Sequence, residues 1–243
     1  MRLTRVHVPG PLAAGERQTI EGDAANHITR VLRLRPGDPL ALFDGRGGEH
    51  AARIEEFRKT AVIVAVGDRE ATDRESPLSL TLAQGVSRGE RMDWIVQKAT
   101  ELGVTRIVPV LTDRTVVKLD PKQSDRKLHH WQGIAVAACE QSGRNRLPEV
   151  AAPQALPEFL RDVDATSARL LLSPTGSERA GDLEVPERRI IVLIGPEGGL
   201  TEIEQRAAIG AGFLAVRLGP RVLRTETAAV AALTLLQHQF GDL

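Results

Sequence analysis

One stretch near the C-terminus restricts the fold of this chain more than any other. The apolar segment Arg189–Ile194 predicts a buried strand, and it runs directly into the glycine-rich segment Gly195–Gly199. The capping box Thr201–Glu204 then predicts the start of a helix. A strand, a short glycine loop and a capped helix in succession are typical of a parallel α/β sheet, in which ligands bind at the carboxyl ends of the strands.

The same alternation of strands and helices extends over residues 78–243. It predicts an α/β domain with a mainly parallel sheet. The other predicted strands are Leu78–Ala83, Thr105–Val110, Leu170–Leu172 and Phe213–Leu218. The other predicted helices run from the capping box Ser87–Glu90 to Leu102, from Asp120 to about Ser142, and from Thr225 to about Gln239.

Residues 1–70 have a different pattern, in which short strands are separated by turns. A helix is predicted over Asp23–Arg33, because an N-cap residue and an apolar face precede Pro36. This pattern predicts a small β-barrel domain with one short helix, followed by a polar linker over residues 71–77. The predicted strands are Leu3–Val8, Pro39–Phe43, Ala51–Glu55 and Ala61–Val66.

Composition limits the compartment and the kinds of partner. The longest apolar runs, such as Ile190–Ile194 and Ala228–Leu236, fall short of the roughly 20 residues of a membrane helix. The start of the chain lacks the apolar core of a signal peptide, and the single cysteine, Cys139, fits a reducing compartment, so we expect a cytoplasmic protein. The formal net charge is zero, so any binding of RNA must depend on local clusters of arginine.

Three glycine-bearing loops are predicted to meet at one ligand site. The segments Leu172–Gly176, Gly195–Gly199 and Leu218–Ala228 each follow a predicted strand. Glycines there allow the backbone to approach a ligand closely. For one such loop alone a tight turn is the better explanation, but three of them together favour a site. The segment Gly210–Ala215 matches a dinucleotide-binding pattern, but it ends a helix and precedes a strand, which is the wrong context. No metal site is expected, because the adjacent residues His129 and His130 point to different sides of a helix.

Four segments in this order closely resemble the ribosomal RNA small subunit methyltransferase E family of the SPOUT superfamily. They are Gln97–Val104, Glu140–Arg144, Ile194–Gly199 and Leu218–Ala228. The resemblance covers nearly the whole chain. It implies an N-terminal PUA-like RNA-binding barrel, a C-terminal SPOUT domain with a deep trefoil knot, and a homodimer. It also implies methylation of N3 of a uridine in 16S rRNA, within the small ribosomal subunit.

The resemblance further implies that the three loops, at about residues 170–228, bind S-adenosylmethionine largely through backbone groups. The residues expected to line that cofactor site are Leu172, Ser173, Pro174, Ile194, Gly195, Pro196, Glu197, Gly198, Gly199, Leu218, Gly219, Arg221, Val222, Leu223, Arg224 and Thr225.

Methylation of uracil N3 requires a proton to leave that nitrogen, and the negative charge then spreads onto the carbonyl oxygens. Arg224 is a candidate donor to such an oxygen, and Glu197 or Glu226 is a candidate proton acceptor. A salt bridge between Arg224 and one of these glutamates is the structural alternative. The position of Glu226 in the first turn of a helix also has a structural explanation, because the helix dipole favours a carboxylate there.

Two groups of arginines are candidates for contacts with RNA phosphates. Arg30, Arg33 and Arg35 lie in a segment without acidic residues. Arg144 and Arg146 flank Asn145, again with no acidic residue next to them in the sequence. Contacts of this kind position RNA without reading its sequence, and a solvated helix face is the alternative for any single arginine.

Two other functions are weighed against the methyltransferase. One is a non-catalytic RNA-binding or ribosome-assembly protein with a SPOUT fold, against which the intact glycine loops argue. The other is a nucleotide-binding oxidoreductase, against which the misplaced glycine pattern argues. The identity of the general base, and the choice between free RNA and the assembled subunit as substrate, remain open at this point.

Overall fold

The computed structural model describes residues 3–117, 120–185 and 188–243, and the chain divides into two compact units. The first comprises Met1–Glu75 and Cys139–Leu147, and the second comprises Ser76–Ala138 and Pro148–Leu243. Residues 139–147 therefore group with the first unit, whereas the sequence predicts one uninterrupted domain from residue 78. The predicted linker is also tied down in part, because Asn145 Nδ2 donates a hydrogen bond to the carbonyl oxygen of Thr72.

The first unit contains a five-stranded sheet. Its strands are β1 (Thr4–His7), β2 (Arg17–Glu21), β3 (Pro39–Phe43), β4 (Glu49–Phe57) and β5 (Ala61–Glu70). The order across the sheet is β1-β3-β4-β5-β2, with β1 parallel to β3 and the other pairs antiparallel. The four predicted strands are all present, and β2 is an additional one.

One helical segment packs on this sheet, at the position where the sequence predicts a helix. Helix α1 (Gly22–Asn26) continues into a π-helical turn over residues 27–31. Ile28 in this turn is fully buried among apolar side chains of β4 and β5, including Ile54 and Val64. The segment ends where Arg33 takes a positive φ of 52°, a conformation uncommon for a residue other than glycine.

The second unit contains an eight-stranded sheet, and all pairings among its described strands are parallel. Its strands are β6 (Ser79–Gly85), β7 (Arg106–Leu111), β8 (Glu149–Val150), β9 (Gln154–Ala155), β10 (Ala168–Leu172), β11 (Glu178–Arg179), β12 (Arg189–Ile194) and β13 (Leu214–Arg217). The order is β11-β13-β10-β12-β6-β7-β8, and β9 also pairs with β7. This arrangement confirms the prediction of a mainly parallel α/β sheet.

Helices cover both faces of this sheet. They are α2 (Glu90–Glu101), α3 (Pro121–Ser142), α4 (Leu156–Arg161), α5 (Glu202–Gly210) and α6 (Thr225–Phe240). In β12, Ile190, Val192 and Ile194 join a core with residues of α2, α3 and α6, whereas Ile191 and Leu193 join one with residues of α4 and α5. This burial on two faces explains why the strand reads as a continuous apolar run. Within the described part of the chain, no helix is long and apolar enough to cross a membrane.

The two predicted capping boxes have different outcomes. At α5 the box is present: Thr201 Oγ1 accepts from the Glu204 backbone N–H at 3.2 Å, and Glu204 accepts from the Thr201 N–H at 2.7 Å. At α2 the prediction is wrong, because the N-cap is Gly89, with a φ of 56° and no side-chain cap. Ser87 precedes the capping position, and its hydroxyl donates to the carbonyl oxygen of Gly85 instead.

Candidate functional site

The three predicted glycine loops meet at one cavity in the second unit. They follow β10, β12 and β13, which are neighbours in the sheet in the order β13-β10-β12, so their carboxyl ends lie along one edge. The cavity has a volume of about 530 Å³. All sixteen residues predicted for the cofactor site line it, and so does Glu226.

Two arginines that no sequence motif marks also line the cavity. Arg91 lies in the first turn of the helix after β6, and Arg114 follows β7; both line the cavity. β6 and β7 continue the same parallel sheet beyond β12. The segment that follows each of them therefore lies at the same edge of the sheet. The order of strands was the missing information, since neither arginine belongs to a recognisable local motif.

The loop over residues 195–199 requires glycine at its first position for a steric reason. A Cβ on Gly195 would lie 2.9 Å from the backbone carbon of Gly199 and from the backbone nitrogen of Leu200, which is too close for any side chain. Gly85, at the end of β6, packs against Pro196 with no room for a Cβ either. The backbone of this loop is therefore folded tightly on itself and on the neighbouring strand.

A buried polar network fixes this loop to the start of α6. Thr225 Oγ1 donates to the carbonyl oxygen of Gly195 at 2.7 Å and accepts from Gln84 Nε2 at 2.9 Å. Gln84 is fully buried, and its Nε2 also lies 3.0 Å from the carbonyl oxygen of Gly85. Such a network positions two of the three loops relative to each other, because buried polar groups that lose a partner are costly.

Arg91 pairs with both glutamates of the cavity. Its Nη1 lies 2.8 Å from Glu197 Oε1, and its Nε lies 4.0 Å from Glu226 Oε1. Glu197 also accepts from the backbone N–H of Arg88 at 2.9 Å. Burial opposes the ionisation of Glu197, but the hydrogen bonds from the Arg88 backbone and from Arg91 outweigh it and hold its pKa below the ordinary value.

The position of Arg224 separates the two explanations considered for it. Among the described residues, the ion pairs at the cavity use Arg91 rather than Arg224, so the alternative of a salt bridge between Arg224 and a glutamate is not met. The Arg224 side chain is exposed, and its backbone is the N-cap of α6. Its guanidinium is thus available to a molecule that enters the cavity.

The arginines predicted to contact RNA differ in their surroundings. Arg30, Arg33 and Arg35 are exposed in the first unit. Arg144, in contrast, is buried with 4 % of its surface exposed, and its guanidinium pairs with Glu75 through two nitrogens, at 2.5 Å and 3.1 Å from Oε2. The expectation that Arg144 faces a phosphate is not met, because the fold brings an acid from 69 residues away.

The remaining arginine of this segment, Arg146, is exposed, so phosphate binding stays a prediction for it.

The single cysteine lies in an environment that does not favour reaction. Cys139 is buried, and desolvation raises its pKa to about 11, which keeps it protonated and unreactive at neutral pH. In the ranges 3–117, 120–185 and 188–243, no three His, Cys, Asp or Glu side chains are grouped so that they could hold a metal ion.

Comparison with known families gives two matches along the chain. A family described as an RNA methyltransferase domain matches residues 74–237. A family described as an RNA methyltransferase PUA domain matches residues 20–66. The two matches fall on the parallel α/β sheet and on the five-stranded sheet, respectively.

Curated relatives and solved structures agree with these matches. The chain is 30% identical to ribosomal RNA small subunit methyltransferase E of Buchnera aphidicola subsp. Schizaphis graminum, over 100% of the chain and 98% of the relative. It is 33% identical to the Bacillus subtilis protein of the same name, over 91% of the chain and 90% of the relative. The crystal structure of a ribosomal RNA small subunit methyltransferase E from Neisseria gonorrhoeae bound to S-adenosyl methionine superposes with a TM-score of 0.93, at 39% identity and over 100% of both chains.

Proposed function

Because the chain belongs to the ribosomal RNA small subunit methyltransferase E family, we propose that it transfers a methyl group from S-adenosylmethionine to ribosomal RNA of the small subunit. The observation that carries this proposal is the cavity into which the three glycine loops converge, at the carboxyl edge of the parallel sheet. From the family resemblance we take N3 of a uridine in 16S rRNA as the modified position.

The loops suit a cofactor that is held by backbone groups. The close approach around Gly195 leaves no room for a side chain at that position of the cavity wall. Residues of all three loops, from Leu172 to Thr225, line the cavity. When bound there, S-adenosylmethionine supplies a methyl group activated by a positively charged sulfur.

A residue of the chain is needed to accept the proton that leaves N3. Glu197 is a weak proton acceptor, because its pKa is lowered and it accepts hydrogen bonds from Arg88 and Arg91. Glu226 has a long contact of 4.0 Å to Arg91. We therefore favour Glu226 over Glu197 as the group that accepts the proton, directly or through water.

Arg224 is the candidate for stabilising the uracil anion. Its exposed guanidinium lines the cavity and forms neither of the ion pairs with the glutamates. We expect Arg224→Ala to slow methyl transfer by about 10²-fold, the size typical of losing one donor to a developing anion. The deficit should shrink as the pH rises toward the pKa of uracil N3, because uracil then loses this proton without stabilisation by the arginine. Single-turnover rates with saturating RNA across pH measure this, and a deficit that is the same at every pH would remove Arg224 from the mechanism.

The function itself is tested by binding and by product analysis. Calorimetry should detect S-adenosylmethionine but not NAD, and digestion of treated 16S rRNA should yield N3-methyluridine by mass spectrometry. Binding of the cofactor without methylation of free 16S rRNA or small subunits would favour the non-catalytic RNA-binding alternative. Binding of NAD alone would favour the oxidoreductase.

We also infer the deep trefoil knot in the second unit. Strand β13 pairs with β10 on the side away from β12, so the chain crosses past β10 after it leaves β12. The last helix then reaches the segment between β10 and β12, where Gln239 Nε2 donates to the carbonyl oxygen of Gly181 at 2.7 Å. Passage of α6 through that segment would give the knot, and an experimental chain trace tests it.

The assembly and location follow from the same family resemblance. We propose that the chain forms a homodimer through its second unit and acts in the cytoplasm, where 16S rRNA is assembled into small ribosomal subunits. The exposed Arg30, Arg33 and Arg35 support RNA binding by the first unit.

A further inference from the structure

We propose that Arg114 and Arg221 form a second RNA-binding site, which holds phosphates next to the target nucleotide at the mouth of the cofactor cavity. This inference rests on the proposed function, because it assumes that RNA is the substrate. It assigns part of the RNA-binding surface to the second unit, in addition to the arginine cluster of the first unit.

The charge of the cavity lining is the first observation. Four arginines and two glutamates line it, which gives a formal charge of +2 in a chain whose net charge is zero. Both glutamates interact with one arginine, Arg91. No carboxylate of the described residues forms an ion pair with the other three, Arg114, Arg221 and Arg224.

The cofactor does not account for this excess of positive charge. S-adenosylmethionine carries an ammonium group, a sulfonium and a single carboxylate, so it is itself a cation. Its carboxylate can satisfy one guanidinium, and further unpaired arginines repel the remainder of the molecule. A polyanion that enters after the cofactor is the ligand that these unpaired arginines favour. RNA phosphates have that charge, and their oxygens match the planar donor fork of arginine.

Arg114 is held ready for this role. Its Nη1 donates to the carbonyl oxygen of Gly198 at 2.8 Å, and a Cβ on Gly198 would lie 3.2 Å from the Arg114 Cβ, so the side chain packs along the loop. A carbonyl oxygen fixes the guanidinium without neutralising its charge. The side chain is exposed, so its other N–H groups can meet a phosphate at low cost in ordering.

Arg221 occupies another loop of the cavity, between β13 and α6, and its side chain is exposed. Its backbone belongs to the predicted cofactor-binding loop, which leaves the guanidinium for a different ligand. On this proposal, a target base that reaches the cofactor enters between these loops, and its flanking phosphates lie beside Arg114 and Arg221. Two arginines on separate loops can contact phosphates on either side of that base.

The test is the double substitution Arg114→Gln/Arg221→Gln, with Arg161→Gln as the matched control. Arg161 is an exposed arginine on α4 that does not line the cavity. Binding of deproteinised 16S rRNA and of purified small subunits is measured over a range of KCl concentrations. Each neutralised phosphate contributes about 0.7–0.9 to the slope of log K against log salt, so the double variant should lose roughly 1.5 of that slope. In Arg114→Gln alone, affinity for S-adenosylmethionine, measured by calorimetry, should stay within about twofold, because Arg114 is not among the residues expected to bind the cofactor.

Several outcomes contradict the inference. A double variant that loses cofactor affinity but keeps the wild-type salt slope would assign these arginines to the cofactor. A loss of about half that slope in Arg161→Gln, which removes one charge instead of two, would make the effect one of overall charge. If the wild-type protein binds the cofactor but neither RNA probe, the proposed function fails together with this inference. Wild-type RNA binding with an unchanged slope in the double variant overturns the inference alone.

Discussion

Arg91 contacts the two glutamates that line the cavity, so a single side chain influences the charge on two different loops. It lies 2.8 Å from Glu197 in the loop after β12, and 4.0 Å from Glu226 at the start of α6. The closer contact helps to keep Glu197 ionised, whereas Glu226 has only the longer contact to Arg91. This difference is why we propose Glu226 rather than Glu197 as the proton acceptor, although the position of Glu226 at a helix start also has a structural explanation.

The lowered pKa of Glu197 predicts how stability depends on pH. Its pKa in the folded state lies below the ordinary value of 4.5, so its ionised form stabilises the fold above that value, and the contribution is lost as the pH falls through the folded pKa. Glu197→Gln should lower the free energy of unfolding by about 0.5–1 kcal/mol at neutral pH, and by less well below pH 4.5. Urea unfolding at both pH values measures this. A difference that is independent of pH would mean that the effect is not one of charge.

The tight turn at Gly195 predicts a steric effect on the cofactor site. In Gly195→Ala the new Cβ would lie 2.9 Å from the backbone of Gly199 and Leu200, so the loop must shift. We expect affinity for S-adenosylmethionine to fall by about tenfold or more, equivalent to at least about 1.4 kcal/mol. Gly210→Ala is the control, because a Cβ there meets nothing within 4 Å. Calorimetry compares the two, after circular dichroism has shown that both are folded; equal affinities would place the cofactor elsewhere.

At the scale of elements, the sequence correctly predicts strands and helices whose signals lie in neighbouring residues. Strand β12 and the capping box of α5 are confirmed, because apolar runs and caps depend on neighbouring residues. Strand β2 was not predicted, since only Ile20 of its five residues is buried and the rest of the strand is polar. The box at Ser87 failed because Gly89, with its positive φ, caps the helix in its place.

Contacts between distant elements could not be predicted from the sequence. Arg91 meets Glu197 across 106 residues, and Arg144 meets Glu75 across 69. The loops of the site could be found because each carries glycines after a strand. The arginines that complete it could not, because only the order β12-β6-β7 brings their loops to the same edge.

The last helix bears on the proposed homodimer. Its apolar character is partly explained within one chain, because Ala229, Leu233 and Leu236 belong to the core of the second unit. Another face remains at least partly exposed and uncharged over Thr227 and Ala231, and continues with Thr234 and His238 at helical spacing. We expect a second copy to cover this stripe, which has no acidic, lysine or arginine side chain.

Sedimentation tests this interface. The wild-type protein should sediment at micromolar concentration with twice the mass of the chain, and Ala231→Glu should shift it toward the monomer, because it would bury a charge in the contact. The control is Ile209→Glu, which places the same charge on α5 at a side chain that is 51 % exposed. A monomeric wild type would leave α6 as a helix of the core alone. An equal shift in both variants would argue against α6 as the interface.

At the scale of the whole molecule, a net charge of zero conceals an uneven distribution. Arg30, Arg33 and Arg35 are exposed in the first unit, and the cavity of the second unit has a positive lining. Glu49 and Glu75 do not offset them, because each is already paired with a buried arginine. Binding to a polyanion then depends on local fields, and the two units can contribute to it independently.

This independence predicts a division of labour that substitutions can measure. Replacing Arg30, Arg33 and Arg35 by alanine should weaken binding to 16S rRNA and reduce the slope of log K against log salt by roughly 0.7–0.9 for each phosphate that is no longer neutralised. Affinity for S-adenosylmethionine should not change, because these residues belong to a different compact unit from the cofactor loops. The control is Arg17→Ala/Arg58→Ala, since both arginines are exposed in the same unit but already paired, with Glu55 and Glu56. Filter binding over a KCl series and calorimetry on the same preparations give both quantities. A triple variant with the wild-type salt slope would remove the cluster from the RNA-binding surface, and a loss of cofactor affinity would show that the two units are not independent.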